Sequence, residues 1–384
     1  MADPFTMYAA WRTEGPVVRS TTPDGAPVWI ITGYQDVRRA LADPRLSLDK
    51  RHSIRGYRGF ELPRTLDANL LNLDPPDHTR IRRLVSKAFA PHRVGSLRPR
   101  VERITGDLLD VVYGREESDL VAELAAPLPL TVIGELLGVP DTGRSNFRRW
   151  SDAVFAPDPT RPSRAGQAIA AMQDYLVALI GERRNSPGDD LLSAMIAARD
   201  GADQLNEDEL LSLAFLILVA GYENTINSIS CAVRELLRHP DQWALLRERP
   251  ELAAATTDEV LRYASPTPFA IRRFATEDIR FGSTTVPAGE TVLACIASAH
   301  HDPRQFAEPD RFDIQRRDNR HLGYGHGIHY CIGAPLAHIE VETALVGLVR
   351  RFPALTLAIP DPDLRWRPSW RSRGLLHLPV RLRG

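Results

Sequence analysis

The sequence HLGYGHGIHYCIGAPLA, residues 321–337, says more about the fold than any other part of the chain. A single cysteine, Cys331, lies in it between four glycines: Gly323, Gly325, Gly327 and Gly333. Glycine adopts backbone conformations closed to other residues and lets the backbone approach a flat object closely. The stretch therefore predicts a tight loop that presents one thiol on a glycine-lined surface.

A helix is predicted to begin directly after Cys331. Its apolar residues recur on one face, and the pattern stops at Arg350-Arg351-Phe352-Pro353. The residues of that face are Leu336, Ile339, Ala344, Leu345 and Leu348. A thiol at a helix N-terminus faces the positive end of the dipole and unpaired N–H groups, which favour the thiolate. A thiolate on such a surface is what a haem iron needs as its proximal ligand.

This stretch resembles the haem-ligand loop of the cytochrome P-450 family, which reads Phe-Gly-x-Gly-x-His/Arg-x-Cys-x-Gly. One departure is Tyr324, where phenylalanine is usual; its hydroxyl needs a partner. The resemblance implies that Cys331 is the axial ligand of haem b and that Gly325 and His329 belong to the cofactor site. The alternative is a buried structural cysteine in a glycine-rich turn.

A second helix is predicted to be unusually long. Asn206 can cap its start and Glu209 can complete a capping box. No proline follows until Pro240, which allows about 33 residues, or roughly 50 Å of helix. The helix is apolar almost all round from Leu210 to Ala220, so it should run through the core.

Polar residues interrupt this helix in the sequence AGYENTIN, residues 220–227. Buried polar groups cost free energy unless they are paired, so they need a reason. The segment is similar to the family's oxygen-activation motif, Ala/Gly-Gly-x-Asp/Glu-Thr. The resemblance implies that Gly221 leaves room for a ligand above the iron and that Glu223 helps to deliver protons. The alternative is a helix kink with solvated polar residues.

Asn224 departs from that motif, because the family usually has threonine there. An amide donates and accepts hydrogen bonds but does not relay a proton easily. Thr225 follows, but the next residue on a helix points about 100° away. The sequence thus predicts a catalytic group of Glu223, Asn224 and Thr225, in which protons arrive through ordered water, through a hydroxyl of the substrate, or in the course of a different chemistry.

Further residues follow from the same resemblance. Glu259 and Arg262 match the family's Glu-x-x-Arg pair, and Arg311 is expected to complete a buried structural network with them. The two haem propionates need cationic partners. The predicted partners are His78, Arg82, Arg273 and His329.

Composition indicates an ordinary globular protein of 384 residues, with 43% hydrophobic residues and a net charge of −1. The charge gives no reason to expect nucleic acid. Three cysteines form no disulfide framework and suit the cytoplasm. The longest apolar run, 210–220, is too short to span a bilayer, so no membrane anchor is expected.

The predicted fold class is mainly α with a minor β region, which the resemblance extends to the cytochrome P-450 fold: an α-rich triangular prism with a long central helix over the haem. One domain is expected over residues 1–384. Strands are expected at approximately 15–35, 265–300 and 355–384, and helices at approximately 77–264 and 332–352. The resemblance places substrate contacts at 51–69, 155–179, 266–271 and 369–371. The first and the last of these segments are rich in arginine, which would suit a carboxylate or a carrier protein; the alternative is a solvated face.

The resemblance implies a haem-thiolate monooxygenase that activates O2 to hydroxylate or epoxidise a macrolide-like or polyketide-like secondary metabolite. Electrons would come from NAD(P)H through a ferredoxin and ferredoxin reductase, and the protein would be a monomer. Two alternatives stay open. One is oxidative cross-linking of aromatic residues in a peptide, which Asn224 motivates. The other is a non-catalytic haem helper protein, against which Cys331 and Glu223 argue.

Overall fold

The computed structural model describes residues 3–23, 25–56, 62–86, 89, 91–155, 163–199 and 205–383. Helices account for most of these residues. In chain order they are α1 Phe5–Glu14, α2 Tyr34–Ala42, α3 Arg64–Asp67, α4 Asp77–Ser86, α5 Pro91–Ser96, α6 Arg98–Val112, α7 Pro127–Leu136, α8 Asp141–Phe155, α9 Ser163–Asn185, α10 Leu191–Arg199, α11 Glu207–Arg238, α12 Pro240–Glu248, α13 Ala253–Tyr263, α14 Ile296–His300 and α15 Ala334–Arg351.

The strands are short. They are β1 Val17–Thr21, β2 Pro27–Ile31, β3 Leu46–Ser47, β4 Glu117–Asp119, β5 Arg273–Ala275, β6 Ile279–Phe281, β7 Thr284–Val286, β8 Thr291–Ala294, β9 Thr356–Leu357 and β10 Pro379–Arg381. The main sheet has the order β1-β2-β8-β5-β3, with β2 and β8 parallel and the other pairs antiparallel. A smaller sheet has the order β4-β10-β9, and β6 pairs with β7.

β1 and β2 lie within residues 15–35, where strands are expected, and they pair antiparallel. Asp24, which lies between them in the sequence, is outside the described residues. The C-terminal strand is shorter than expected and covers only Pro379–Arg381. β4 interrupts a stretch that the sequence predicts to be helical. It forms because β10, about 260 residues later in the chain, pairs with it, for example through Ser118 and Val380. The sequence around β4 does not indicate this pairing.

The long helix α11 forms as its sequence predicts. Asn206 Oδ1 accepts from the Glu209 backbone N–H at 2.8 Å, and Glu209 Oε2 accepts from the Asn206 N–H at 2.9 Å. This capping box satisfies N–H groups that have no partner within the helix. The helix then runs for 32 residues and packs against α3, α7, α9, α13 and α15. It is the axis around which the helical core is built.

One helix in the described ranges, α11, is long and apolar enough to cross a membrane by length and composition. Its most apolar window is 67% buried within the fold. A helix that is apolar on all sides is expected at the centre of a large core as much as in a bilayer. The packing shows that α11 is such a core helix.

The buried pair Glu259–Arg262 anchors the segment that leads to the cysteine loop. Both side chains are 0% exposed, and Arg262 Nη2 donates to Glu259 Oε1 at 2.8 Å. Arg262 also donates to the carbonyls of His300, Pro309 and Arg311. Glu259 accepts in addition from the Asp313 N–H. The pair therefore fixes backbone over residues 300–313.

The arginine side chain that completes this network is Arg316, and the prediction of Arg311 is wrong in that respect. Arg316 Nε lies 3.2 Å from Glu259 Oε2, and its guanidinium donates to the carbonyls of Ala307, Glu308 and Arg311. Arg311 contributes only its carbonyl, and its own side chain is 61% exposed beside Glu308. The two arginines lie in the same loop, and only the folded path of that loop decides which one turns inward.

Replacing Arg316 with alanine should therefore destabilise the protein much more than replacing Arg311. Arg316→Ala leaves a buried carboxylate with fewer donors, which typically costs roughly 3–5 kcal/mol. Arg311→Ala keeps the carbonyl that the network uses and should change stability by less than about 0.5 kcal/mol. Thermal unfolding followed by circular dichroism measures both variants. Equal melting temperatures for the two would contradict this account of the network.

Candidate active site

A large cavity opens along one side of α11. Its volume is about 790 Å³, within the range of pockets that enclose a small organic ligand. Its apolar lining comes from α11, from the segment before β5 and from the loop near Trp370. The apolar residues include Leu62, Leu71, Phe215, Leu216, Val219, Phe269, Ile271, Leu293 and Trp370. Glu223 and Asn224 are the acid and the amide that α11 presents to this cavity.

The cysteine loop is shaped by glycines with positive φ. Gly325 has φ 78° and Gly327 has φ 75°, values that disfavour side chains. Gly327 also lies against α2, because a Cβ atom there would come within 3.1 Å of the Ala42 Cα. The Cys331 N–H donates to the Tyr324 carbonyl at 2.8 Å and closes the loop. Cys331 then precedes α15, whose predicted apolar face is buried as expected.

Cys331 is accessible to solvent, although protein atoms surround its sulfur on most sides. Burial raises the pKa of its thiol, while the N–H groups of Gly333 and Ala334 and the charge of Arg82 lower it. The helix N-terminus therefore favours the thiolate in the predicted direction, but burial outweighs it. A coordinated metal ion removes the thiol proton outright, which is the condition under which this sulfur becomes a thiolate ligand.

Cationic groups converge beside the cysteine loop. The rings of His78 and His329 lie 4.2 Å apart, and Arg273 influences His329 electrostatically. Burial lowers the pKa of His329 to about 3 and that of Arg273 to about 10. It also lowers the pKa of His78. Arg82 donates to the Tyr330 carbonyl at 2.6 Å, next to Cys331. The four residues that the sequence predicts as propionate partners thus gather at one place.

This cluster fits the anionic side of a haem. Neither ring nitrogen of His78 has a hydrogen-bond partner within the described part of the chain, although the residue is 1% exposed. A buried polar group without a partner costs free energy. A carboxylate placed between His78, His329 and Arg273 would satisfy these nitrogens, and its negative charge would raise the pKa values that burial lowers.

Glu223 and Asn224 are each held by a hydroxyl from another segment. Ser372 Oγ donates to Glu223 Oε1 at 2.8 Å. Burial raises the pKa of the Glu223 carboxyl, while this hydrogen bond and the charge of Arg367 lower it. Asn224 Nδ2 donates to the Ala220 carbonyl at 3.3 Å, and Asn224 Oδ1 accepts from Thr267 Oγ1 at 3.4 Å. Sequence reasoning missed Ser372, which lies one residue beyond the segment 369–371 named as a substrate contact.

Thr225 lies on the other side of α11, and its assignment to the catalytic group is corrected. It is 3% exposed, and its hydroxyl donates to the Gly221 carbonyl at 3.0 Å. The rotation of about 100° per residue turns it from the cavity toward α15. There it contacts Glu340, whose pKa burial raises to about 8. Glu340 is a second residue that sequence reasoning missed. The feature that could have indicated it is an acidic residue between the apolar Ile339 and Val341 on a predicted helix.

Gly221 also has a role different from the predicted one. A Cβ atom at this position would lie 2.5 Å from Ile133 Cδ1, so the missing side chain lets α11 approach α7. Within the described ranges, Ala220 and Asn224 line the cavity and Gly221 does not. The space beside the cavity therefore comes from the small Ala220.

The predicted substrate segments are only partly found at the cavity. Residues from 51–69, 266–271 and 369–371 line it. Residues 57–61 and 156–162 belong to predicted segments but lie outside the described residues. Among residues 163–179, which the structure does describe, none lines the cavity; α11 supplies that wall through Phe215, Leu216 and Val219.

The chain is similar to one protein family model, to characterised proteins and to solved structures. The family model of cytochrome P-450 matches residues 145–365. The cytochrome P-450 monooxygenase PikC of Streptomyces venezuelae is 45% identical over 100% of this chain and 92% of its own length. The 6-deoxyerythronolide B hydroxylase of Saccharopolyspora erythraea is 43% identical over 100% of this chain and 96% of its own. The solved structure of the tirandamycin C-bound P-450 monooxygenase TamI superposes with a TM-score of 0.92 at 44% identity, covering 99% of this chain and 97% of that one.

Replacing Glu340 with glutamine should stabilise the protein in a pH-dependent manner. The pKa of about 8 in the folded state exceeds the usual 4.5, so the folded protein keeps a proton that the unfolded chain releases. Wild-type stability is then lost as pH rises from the unfolded to the folded pKa, by about 1.4 kcal/mol per pH unit. Glutamine is always neutral and avoids this loss. Melting temperatures between pH 4.5 and 8 measure the difference.

Glu342, two residues further along α15, provides a matched control, because its replacement by glutamine should change the stability in the opposite direction. Burial opposes its ionisation, but hydrogen bonds from His338 and Arg98 outweigh burial and lower its pKa. Its contribution to stability is present at neutral pH and is lost as pH falls through the folded pKa. Glu342→Gln should therefore be destabilising at neutral pH and progressively less so in acid. Parallel pH profiles for Glu340→Gln and the wild type would show that Glu340 is ionised in the folded protein.

Proposed function

The chain belongs to the cytochrome P-450 family, and we propose that it oxidises a large, mostly apolar secondary metabolite of the macrolide or polyketide class. The enzyme is a haem-thiolate monooxygenase that uses O2 and electrons from NAD(P)H delivered by redox partners. The observation that carries the substrate proposal is the cavity of about 790 Å³ beside Glu223 and Asn224. Hydroxylation or epoxidation of a bound C–H or C=C group is the proposed outcome.

The proposed haem contacts are those that the cysteine loop and the cation cluster offer. Cys331 Sγ would coordinate the haem iron, and the loop that Gly325 and Gly327 shape would let the backbone approach the cofactor closely. His78, His329, Arg82 and Arg273 bind the propionates, because they are cationic or become so beside an anion. When bound, the haem supplies the activation of O2; the protein supplies the ligand, the orientation and the protons.

Proton supply is proposed to depend on Glu223. Its carboxyl faces the cavity, and burial raises its pKa, so it can hold a proton and release it there. Asn224 does not pass a proton in this scheme. Its amide bridges the Ala220 carbonyl and Thr267, which fixes it as a hydrogen-bond donor and acceptor at the cavity wall.

The cavity favours a substrate with a large apolar surface and few polar groups. Aromatic and aliphatic side chains form most of the wall, as is usual for sites that bind small organic molecules. Arg55, Arg272 and Arg371 also line it. Arg55 is paired with Glu290 at 3.2 Å, and Arg371 lies over the Trp370 ring. Asp67 on the same wall is paired with Lys50, so Arg55 and Asp67 each have a counter-charge within the protein. We therefore expect a neutral oxygenated substrate at this mostly apolar wall.

Oxidative cross-linking of aromatic residues in a peptide is the second candidate. Asn224 motivates it, because the usual threonine of the motif is absent there. The mass of the product separates the two reactions. Hydroxylation adds one oxygen atom, whereas cross-linking removes two hydrogen atoms. The helper-protein alternative is set aside because the chain is an enzyme of this family.

The remaining proposals concern partners and setting. We infer a ferredoxin and a ferredoxin reductase as the electron donors, a monomeric enzyme, and a cytoplasmic location. A single domain over the whole chain is proposed because α11 joins the helical layers that carry the cavity to those that carry the cysteine loop. The net charge of −1 gives no support to nucleic acid as a partner.

The carbon monoxide difference spectrum of the reduced protein tests the ligand. The wild type should show the red-shifted Soret band of a thiolate-ligated haem, and Cys331→His should move the band to the position of neutral ligands. Cys231→Ala is the matched control, since Cys231 is fully buried elsewhere in the core and its loss should leave the band in place. An unchanged band in Cys331→His would show that another group binds the iron.

Replacing Asn224 with threonine should reduce product formed per NADPH by roughly twofold or more, since each lost hydrogen bond is worth about 1 kcal/mol. The change removes the amide that bridges Ala220 and Thr267. Thr267→Val, which removes only the partner hydroxyl, should act in the same direction. Product and NADPH are measured with a substrate selected by its spin-state shift. Identical coupling in all three proteins would show that Asn224 has no special role.

A further inference from the structure

A chain of hydroxyl groups leads from the partly exposed Ser369 to Glu223. Ser369 is partly exposed, and its Oγ lies 3.2 Å from Ser372 Oγ. Ser372 is 7% exposed and its Oγ lies 2.8 Å from Glu223 Oε1. Both separations are hydrogen-bond distances. Three oxygen atoms thus form an unbroken series from the protein surface to the carboxyl that faces the reaction.

The loop that carries both serines is rigidly attached. Ser369 Oγ accepts from the N–H groups of Arg371 and Ser372, at 3.2 Å and 3.1 Å. The Arg373 N–H donates to the Pro266 carbonyl at 2.8 Å, and Arg373 Nη1 donates to the Ala264 carbonyl at 3.1 Å. These contacts tie the loop to the segment after α13.

The loop backbone also lies directly on α11. A Cβ atom at Gly374 would come within 1.7 Å of Asn227 Oδ1, so only glycine fits between the loop and the helix. Cys231 Sγ lies 3.6 Å from the Arg373 carbonyl, one turn further along α11. Since Asn227 is one helical turn after Glu223, this close packing holds Ser372 at the level of the carboxyl.

We propose that Ser369 and Ser372 relay protons from solvent to the Glu223 carboxylate, and that Ser372 positions this carboxylate toward the cavity. The proposal rests on the proposed role of Glu223 as the proton donor of the reaction. It assigns to the C-terminal loop a function that sequence position does not indicate, because Ser372 follows Glu223 by 149 residues.

The relay is balanced in atoms and charge. The Ser372 hydroxyl gives its proton to the Glu223 carboxylate and receives one from the Ser369 hydroxyl, which receives one from a hydronium ion of the solvent. Both serines end as neutral hydroxyls, Glu223 gains one proton, and the hydronium ion is left as water. Each hydroxyl has one donor position and two lone pairs that accept, so Ser372 can serve both neighbours after it rotates, and Ser369 accepts from the solvent after it releases one of its two backbone N–H groups. No oxidant or reductant takes part.

Three variants separate the two roles of Ser372. Ser372→Ala removes the hydroxyl that touches Glu223, Ser372→Thr retains a hydroxyl, and Ser369→Ala removes only the outer link. Ser230→Ala is the matched control, because Ser230 is a buried hydroxyl of α11 that donates to the Asn227 carbonyl and does not line the cavity as described. The carbon monoxide spectrum and the melting temperature of each variant establish that it folds and binds haem.

The first readout is the infrared carbonyl band of protonated Glu223, which is assigned by its disappearance in Glu223→Gln and followed against pH. Ser372→Ala should raise the pKa of Glu223, because it removes a hydrogen bond to the ionised form. Ser372→Thr and Ser230→Ala should leave the pKa where it is. This readout does not depend on turnover or on a known substrate.

The second readout is oxygen consumption driven by NADPH through a plant ferredoxin and its reductase, measured in H2O and in D2O. Ser372→Ala and Ser369→Ala should each slow it about tenfold, part of the gain typical of positioned acid–base groups, and should increase the solvent isotope effect. Ser372→Thr should stay near the wild type. Slow turnover in Glu223→Gln together with wild-type rates and isotope effects in both alanine variants would overturn the relay while leaving the role of Glu223 intact. Wild-type turnover in Glu223→Gln would overturn both.

Discussion

The buried ion pair between Glu259 and Arg262 is the interaction on which the position of the haem site depends. Taking two charges out of water costs several kcal/mol per ion unless their remaining hydrogen-bond positions are filled. Here they are filled largely by backbone groups and by Arg316, drawn from residues 300–316. The pair therefore cannot be satisfied unless this irregular segment follows one path. That path leads directly into the cysteine loop, and His300 Nε2 accepts from the Leu322 N–H at its start.

The cluster of His78, His329 and Arg273 also buries groups that can carry charge, but it is not balanced in the same way as the network of Glu259. His78, His329 and Arg273 all have pKa values lowered by burial. In the network of Glu259 each charge has a counter-charge within the protein. In the cluster Asp74 and Asp43 offset burial only in part, since the three pKa values stay lowered. A bound anion such as a carboxylate would add the missing counter-charge and so stabilise this region.

Local sequence predicts the features that depend on neighbours along the chain. The capping box of α11, the apolar face of α15 and the turn-forming glycines of the cysteine loop follow from spacing alone. Features that depend on distant segments were not predictable. β4 exists because β10 pairs with it. Arg316 rather than Arg311 turns inward because of the path of the loop, and Gly221 serves the contact of α11 with Ile133. Ser372 reaches Glu223 across 149 residues of sequence.

Helix α11 separates two carboxyl groups that burial affects in the same direction. Glu223 faces the cavity and has a raised pKa, and Glu340 on the core side contacts Thr225 and has a pKa of about 8. Their partners decide what each can do. Glu340 meets a hydroxyl that is already committed to the Gly221 carbonyl, so it is held as a neutral acid in the core. Glu223 meets a hydroxyl that continues to a second hydroxyl and to solvent. The usual threonine of the motif is absent at Asn224, yet hydroxyl groups remain beside the acid, because the C-terminal loop brings them from another part of the chain.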